Sequence, residues 1–171
     1  MQALSLCRAG VFGLSVLALV SCDESANFGE KSFKSQYSNA RDALEKGKYE
    51  QANRAYLRLM PTAGALQPRL RLELAHSYLR SGNFAAAAKE ARGSAGAQTG
   101  KGKAAALAVQ ATADHELGLK ALSRGDVANG KGLLKQADKS MAWIVKTHPD
   151  VDPLGAIAGR RASIAVRLKS L

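Results

Sequence analysis

The sequence predicts an all-α protein built from stacked helical hairpins. The clearest hairpin runs from Leu74 to Ala91, where apolar residues at helical spacing are interrupted at Gly82 and resume at Phe84. Glycine suits such a turn because it reaches positive φ without a Cβ clash. Aromatic residues make up only 5% of the 171 residues, and no stretch alternates apolar with polar residues. We therefore expect closely packed helices and no sheet.

The hairpin pattern occurs three times along the chain. The turn glycines are Gly47, Gly82 and Gly125, which are separated by 35 and 43 residues. Each is followed two residues later by an apolar residue and five residues later by alanine or glycine. These positions are Tyr49 and Ala52, Phe84 and Ala87, and Val127 and Gly130. The third copy departs most, with Val127 in place of an aromatic residue and Gly130 in place of alanine.

This pattern, with a period near about 34 residues, resembles the tetratricopeptide repeat. The segments Leu74-Ala75-x2-Tyr78 and Leu117-Gly118-x2-Ala121 match the first half of its signature, and Pro61 closes the first copy. The resemblance covers residues 34–148. It implies an all-α, TPR-like solenoid of about three repeats, to which the sequence adds a C-terminal capping helix.

The helices are placed by their apolar stripes and their breakers. We expect them at residues 34–46, 49–60, 67–80, 84–91, 104–123, 127–147 and 154–170. Pro68 suits a first turn, and residues 93–103 are predicted to form a flexible Gly-rich linker. Asp152 is the expected N-cap of the last helix, with Pro153 at its first position. Its predicted stripe comprises Leu154, Ile157, Ala158, Ile164, Ala165 and Leu168. The helix at 127–147 is predicted to bury one face made of Leu134, Ala137, Met141, Ile144 and Val145, and Trp143 is expected in the core or against the last helix.

The N-terminal segment predicts export and lipidation. Arg8 precedes an uncharged, mostly apolar run that is too short to span a bilayer comfortably and fits a secretory signal over residues 1–21. The ending Leu19-Val20-Ser21-Cys22 resembles the bacterial lipobox, which implies acylation of Cys22. An ordinary signal peptide with an incidental cysteine is the alternative. Residues 22–33 then form a polar, flexible tether before a helical domain at 34–171.

The sequence offers no catalytic arrangement. It contains three histidines and none of the common hydrolase, zinc or redox motifs, so we expect no enzyme, no metal and no cofactor. Gly100-Lys101 lacks the spacing, the Ser/Thr and the preceding strand of a phosphate loop. The short turn at residues 147–153 holds one histidine and two aspartates, which is weak support for a metal site.

The candidate functional surface is the concave face implied by the repeat resemblance, lined by the first helix of each pair. Its expected residues are Lys34, Tyr37, Arg41, Arg69, His76, Arg80, His115 and Leu119. Arg41 and Arg80 are expected to grip a carboxylate, so an acidic segment or a free C-terminus is the predicted ligand class. The resemblance thus implies a protein partner, and we expect no nucleic acid.

The chain is strongly basic, with a formal net charge of +11. We predict a lipid-anchored periplasmic adaptor, held to the inner or outer membrane, within a cell-envelope, secretion or polysaccharide-export assembly. The alternative is an envelope protein that binds an acidic polysaccharide or anionic lipid through its basic surface. Arg160, Arg161, Arg167 and Lys169 have no nearby acid in sequence, so the last helix either solvates the end of the stack or touches anionic lipid.

Overall fold

The computed structural model describes residues 21–171, with side chains from Ser32 onward. The predicted signal segment, and the side chain of Cys22 with its predicted acylation, lie outside the described part. The chain divides into an N-terminal unit that ends at Lys34 and a compact unit, Ser35–Leu171, which carries all the contacts discussed below.

Seven α-helices account for most of residues 21–171, which contain no strand, so the all-α prediction is confirmed. Short 3-10 turns at Met60–Thr62, Gly64–Leu66 and Pro149–Val151 lie in the longer connections. The α-helices are α1 (Ser21–Glu45), α2 (Tyr49–Leu59), α3 (Gln67–Arg80), α4 (Phe84–Gly96), α5 (Gly100–Ser123), α6 (Val127–Thr147) and α7 (Ala156–Lys169).

The three predicted turns share one geometry. Gly47, Gly82 and Gly125 have φ values of 72°, 77° and 81°. In each turn the amide after the glycine donates to the carbonyl five residues earlier: Lys48 to Ala43, Asn83 to Tyr78 and Asp126 to Ala121. This is the Schellman end of a helix, in which a left-handed residue satisfies the last free carbonyl groups. The turn assignment made from the glycine spacing is confirmed.

Consecutive helices of the compact unit pack against one another, and contacts two helices apart join the odd-numbered helices. Tyr37 of α1 donates to Glu73 of α3, α3 contacts α5, and Arg160 of α7 donates to Glu116 of α5. The odd-numbered helices therefore form one layer, and α2, α4 and α6 form a second layer packed against it.

The two ends of this stack are built differently. At the turn end, α1 meets α2, α3 meets α4 and α5 meets α6 through the three glycine turns. At the loop end lie the connections 60–66, 97–99 and 148–155. Ser94 of α4 donates to the Pro68 carbonyl of α3 there, at 2.7 Å, and Lys101 of α5 pairs with Asp150 at 2.6 Å. The chain also enters the unit at this end, because the Tyr37 ring lies 6.4 Å from the ring of Tyr56 near the end of α2.

The core consists of small residues between the layers and one larger aliphatic cluster. Ala52 and Ala87 are fully buried, as is Gly130 at the equivalent place in the third pair. The predicted stripe of α6 is confirmed for Leu134, Ala137, Met141 and Ile144, which are buried with Ile164 of α7. Trp143, expected in the core, is 37% exposed and makes an edge contact with the His148 ring.

Two predicted flexible segments are largely helical. Helix α1 begins at Ser21, where the sequence suggested a tether over residues 22–33. Nothing in that stretch blocks propagation from the packed part of α1, since it contains no proline. The Gly-rich linker at 93–103 is reduced to Ala97–Thr99, because α4 continues to Gly96 and buries Ser94 and Ala95.

The last helix differs most from its prediction. It begins at Ala156, because Gly155 takes a left-handed φ of 69°, so Pro153 is not its first residue. Asp152 still caps it, accepting the amides of Ile157 and Ala158 at 2.9 Å each. Only Ile164 of the predicted stripe is fully buried, Ile157 and Leu168 are partly covered, and Leu154 is 93% exposed together with exposed Ala158 and Ala165. The stripe is narrower than predicted because α7 packs against only one side of the stack.

Candidate functional site

The first predicted site residues, Tyr37 and Arg41, form a cluster around Glu73. The Tyr37 hydroxyl and Arg41 Nη1 both donate to Glu73 Oε1 at 3.2 Å, and Arg41 Nη2 donates to Glu45 Oε1 at 3.1 Å. Glu73 is only partly exposed, so its charge is compensated within the protein. Arg41 therefore joins α1 to α3, and both ends of its guanidinium are occupied.

Arg80 is also engaged within the chain. Its Nη1 donates to the Leu44 carbonyl at 3.4 Å, and its guanidinium carbon lies 5.5 Å from the centre of the Tyr49 ring. Arg41 and Arg80 thus lie on successive odd helices as predicted, but each is bonded to its own surroundings. The structure does not present them as a free pair of guanidiniums.

The contact of Arg80 with Tyr49 has a counterpart one repeat later. Lys120 of α5 places its Nζ 4.6 Å from the centre of the Phe84 ring. In both cases a cation from the last turn of an odd helix covers the aromatic residue that opens the preceding even helix. Beside these contacts, clefts of about 600 Å³ and 450 Å³ lie between successive turns. Val127, which holds the equivalent place in the third turn, has no such cover and is 46% exposed.

The solvent-facing part of the predicted groove is centred on α3. Arg69, Glu73, His76 and Arg80 follow one another at helical spacing, so they share one face. Arg69 and His76 are exposed, and neither forms an ion pair with another described side chain. Although His76 is exposed, partial desolvation by the neighbouring protein atoms lowers its pKa, and the charge of Arg80 adds to this effect while Glu73 opposes it.

The remaining predicted residues are distributed differently. His115 is buried rather than exposed, because α7 covers it and Arg160 Nη1 lies 2.9 Å from its Nδ1. Leu119 is half-buried against the α6–α7 cluster. Lys34 is exposed and belongs to the N-terminal unit. Tyr37, Arg41, His76 and Arg80 are thus brought together on α1 and α3, whereas His115 and Leu119 contribute to the packing of α7.

Arg160 and Arg161, expected without acidic partners, are both paired. Arg160 Nη1 donates to Glu116 at 2.7 Å, and Arg161 Nε donates to Asp138 at 2.9 Å. The acids come from α5 and α6, which are far away in sequence, so the local pattern could not indicate them. Arg167 and Lys169 remain exposed at the end of α7.

A buried polar group on α5 was missed in the sequence. Asp114 is 2% exposed and accepts hydrogen bonds from the amides of Gln110 and Gln136, each at 3.3 Å. Burial raises its pKa, and these hydrogen bonds together with the charge of Arg92 partly offset the shift. In the sequence, Asp114 stands beside alanines on α5, a helix that packs against both α4 and α6, and this pattern could have indicated a buried carboxylate.

The outward face of α6 is basic. Lys131, Lys135 and Lys139 recur at four-residue spacing, and none of them forms an ion pair within the part of the chain whose side chains are described. The one acid of this helix, Asp138, is bonded to Arg161. Like charges at this spacing destabilise a helix slightly. The stability of α6 as a helix therefore does not explain why three lysines recur at this spacing.

Within the described residues, no three His, Cys, Asp or Glu side chains are placed to hold a metal ion. None of the described helices is long and apolar enough to cross a membrane. Comparison of the chain with protein-family models, with curated proteins and with solved structures finds no match.

Proposed function

We propose that the chain is a lipid-anchored scaffold whose TPR-like stack binds a protein partner through the face of its odd-numbered helices. The observation that carries the proposal is the repetition of one turn geometry at Gly47, Gly82 and Gly125, together with a continuous layer of α1, α3 and α5. Each helix pair buries its apolar side on its neighbours, as in a solenoid, and leaves one face of the layer available for a ligand.

The centre of the proposed binding face is Arg69 and His76 on α3. Both are exposed and have no ion pair among the described residues. Arg41, in contrast, is bonded to Glu73 and Glu45, and Arg80 is bonded to the Leu44 carbonyl. An acidic segment or a C-terminal carboxylate remains the proposed ligand class, and Arg69 is the guanidinium that can pair with it at no cost to the fold.

The proposed location is the periplasmic side of a bacterial envelope, with acylated Cys22 holding the protein to the inner or outer membrane. Its role there is that of an adaptor in an envelope, secretion or polysaccharide-export assembly. The export signal and the lipobox-like Leu19-Val20-Ser21-Cys22 support this part of the proposal. We propose no catalytic step and no cofactor, since the sequence contains none of the common hydrolase, zinc or redox motifs.

The test combines crosslinking in cells with binding of purified proteins. A photoreactive residue at position 76 should capture one protein partner, and the same residue at position 135 on α6 should not. The purified partner should then bind Arg69→Glu at least about tenfold more weakly than the original chain, the effect of losing a central interface contact. Lys135→Glu makes the same charge change on an equally exposed side chain and should leave this affinity within about twofold.

The second candidate function is binding of an acidic polysaccharide along α6. It is favoured by the unpaired Lys131, Lys135 and Lys139, which form one basic stripe. In that case the effects reverse: Lys135→Glu weakens retention on an anionic polysaccharide column, Arg69→Glu has a smaller effect, and binding falls steeply with salt.

A further inference from the structure

Large apolar side chains are exposed unevenly over the compact unit. Four of the seven most exposed lie at the loop end, namely Leu57 (49%), Leu66 (49%), Trp143 (37%) and Leu154 (93%). They come from the end of α2, the 60–66 connection, the last turns of α6 and the α6–α7 connection. Four separate segments therefore each place an exposed apolar side chain at the same end of the stack.

The same end carries unbalanced positive charge. Its segments 56–70, 94–104 and 143–156 contain the cations Arg58, Arg69, Lys101, Lys103 and Lys146, and the acids Asp150 and Asp152. Asp150 is bound by Lys101 at 2.6 Å, and Asp152 accepts two amides of α7. Arg58, Lys103 and Lys146 are exposed and form no ion pair with another described residue. The described part of the loop end is therefore a positive surface that carries exposed apolar side chains.

Leu154 is held outward by the bonds around it. Asp152 fixes the start of α7, Gly155 turns the chain through a left-handed φ, and the Lys101–Asp150 pair ties the preceding residues to α5. A leucine in an ordered turn that is 93% exposed contributes nothing to the core. Its position therefore points to something outside the chain that covers it.

We propose that the loop end docks on the surface of an anionic phospholipid bilayer. Leu154 and Trp143 enter the interfacial region, where tryptophan is favoured, and Arg58, Lys103 and Lys146 face the headgroups. A fluid interface accepts apolar side chains from separate connections without requiring a complementary shape. Docking of the loop end requires neither acylation of Cys22 nor a partner on the odd-helix face.

Trp143 is the only tryptophan of the chain, so its fluorescence reports directly on the loop end. The protein is the full chain with Cys22→Ser, which removes acylation, mixed with phosphatidylcholine vesicles with or without phosphatidylglycerol. We expect a blue shift and quenching by lipids brominated on their acyl chains, but only when phosphatidylglycerol is present. Because residues 1–20 are the same in every loop-end variant, a loss of quenching in such a variant separates loop-end docking from vesicle association through residues 1–20.

Matched variants locate the surface. Leu154→Asp should weaken the phosphatidylglycerol-dependent quenching at least about tenfold, since it removes an inserted apolar side chain and adds a negative charge. Val166→Asp makes a similar change at a side chain that is 71% exposed on α7, and it should leave quenching unchanged. Arg58→Glu with Lys146→Glu should abolish quenching, whereas Arg167→Glu with Lys169→Glu should not.

Two results would overturn the proposal. One is a Trp143 spectrum that does not change with vesicles of either composition. The other is an equal effect of the loop-end and α7 variants, which would make net charge the cause. Capture of a protein by position 76 tests the proposed partner site and is unaffected by either result.

Discussion

Arg160 donates from one nitrogen to both His115 and Glu116, with Nη1 lying 2.9 Å from Nδ1 of His115. Since arginine can only donate, this bond requires an unprotonated Nδ1 on His115, with the proton on Nε2. The longer contact of the same Nδ1 with Glu116 Oε1, at 3.3 Å, would require a proton on Nδ1, so the two contacts belong to different protonation states and the shorter one belongs to the neutral ring. Burial lowers the pKa of His115, and the charge of Arg160 lowers it further, against the opposing charge of Glu116. The bond that docks α7 on α5 therefore requires a neutral imidazole.

The first prediction is a loss of stability on acidification. A histidine whose folded pKa is lowered binds fewer protons when folded, so its contribution is complete above its ordinary pKa of about 6.5 and is lost as pH falls below it. The melting temperature should drop between about pH 7.5 and about pH 5, and His115→Gln should show a smaller drop. The pKa of His76 is also lowered, so His76→Gln is made as well to measure how much that histidine contributes to the drop. Equal drops in the original chain and in His115→Gln would contradict this assignment.

The second prediction concerns the buried Asp114. Its raised pKa means that the folded state binds more protons, so stability falls as pH rises through the window above the ordinary value of about 3.9. Asp114→Asn keeps an acceptor for Gln110 and Gln136 and removes the buried charge. It should raise the melting temperature at neutral pH, and the gain should disappear below about pH 4.

A lower melting temperature for Asp114→Asn at neutral pH would contradict this prediction. It would show that attraction to Arg92 and the two amides outweighs the cost of burying the carboxylate. Asp138→Asn provides the contrast, since it breaks the Arg161 pair near the surface and should not stabilise the protein.

The third prediction concerns the close crossing of α5 and α6. A Cβ at Gly130 would lie 2.6 Å from Leu122 Cδ2 and 3.0 Å from the Gly118 carbonyl oxygen. Gly130→Ala should therefore lower the free energy of unfolding by about 1–3 kcal/mol. Gly132→Ala is the matched control in the same helix, where a Cβ meets nothing within 4 Å. It should be neutral or stabilising by up to about 1 kcal/mol, as chemical denaturation can measure.

The fourth prediction concerns the proposed anchor. Cys22→Ser should prevent incorporation of a labelled fatty acid and leave the chain either unprocessed or released from the membrane fraction. The reason is chemical, because the diacylglycerol needs the cysteine thiol. Cys7→Ser is the control, since it lies inside the predicted signal segment and should label normally. Label retained by the Cys22→Ser protein would rule out the lipoprotein hypothesis.

The sequence predicted those features that depend on local pattern. The turns at Gly47, Gly82 and Gly125 follow from glycine spacing, and the buried face of α6 follows from the spacing of Leu134, Ala137 and Met141. The third repeat has glycine at position 130 because Leu122 of α5 occupies the space that a Cβ would need. Local sequence spacing could not indicate this, because the contact is made with another helix.

The candidate site was predicted less well, because charged side chains choose partners on other helices. Arg41 was placed on the correct face, but its partner Glu73 lies 32 residues away in sequence. A signal for Glu73 did exist, since it stands midway between Arg69 and His76 on the same stripe of α3. The burial of His115 had no local signal, because it results from the way α7 folds back over α5.

The odd-numbered layer is joined by two kinds of contact. Side-chain hydrogen bonds connect α1 to α3 through Glu73 and α5 to α7 through Arg160. In the described structure α3 and α5 instead share an apolar cluster, which contains Ala75, Ala91 and Val109 and is flanked by Leu72 and Leu79. Apolar surfaces have no directional bonds to break when they slide slightly. We therefore expect changes in the curvature of the stack, such as those that would admit a ligand of different width, to occur between α3 and α5.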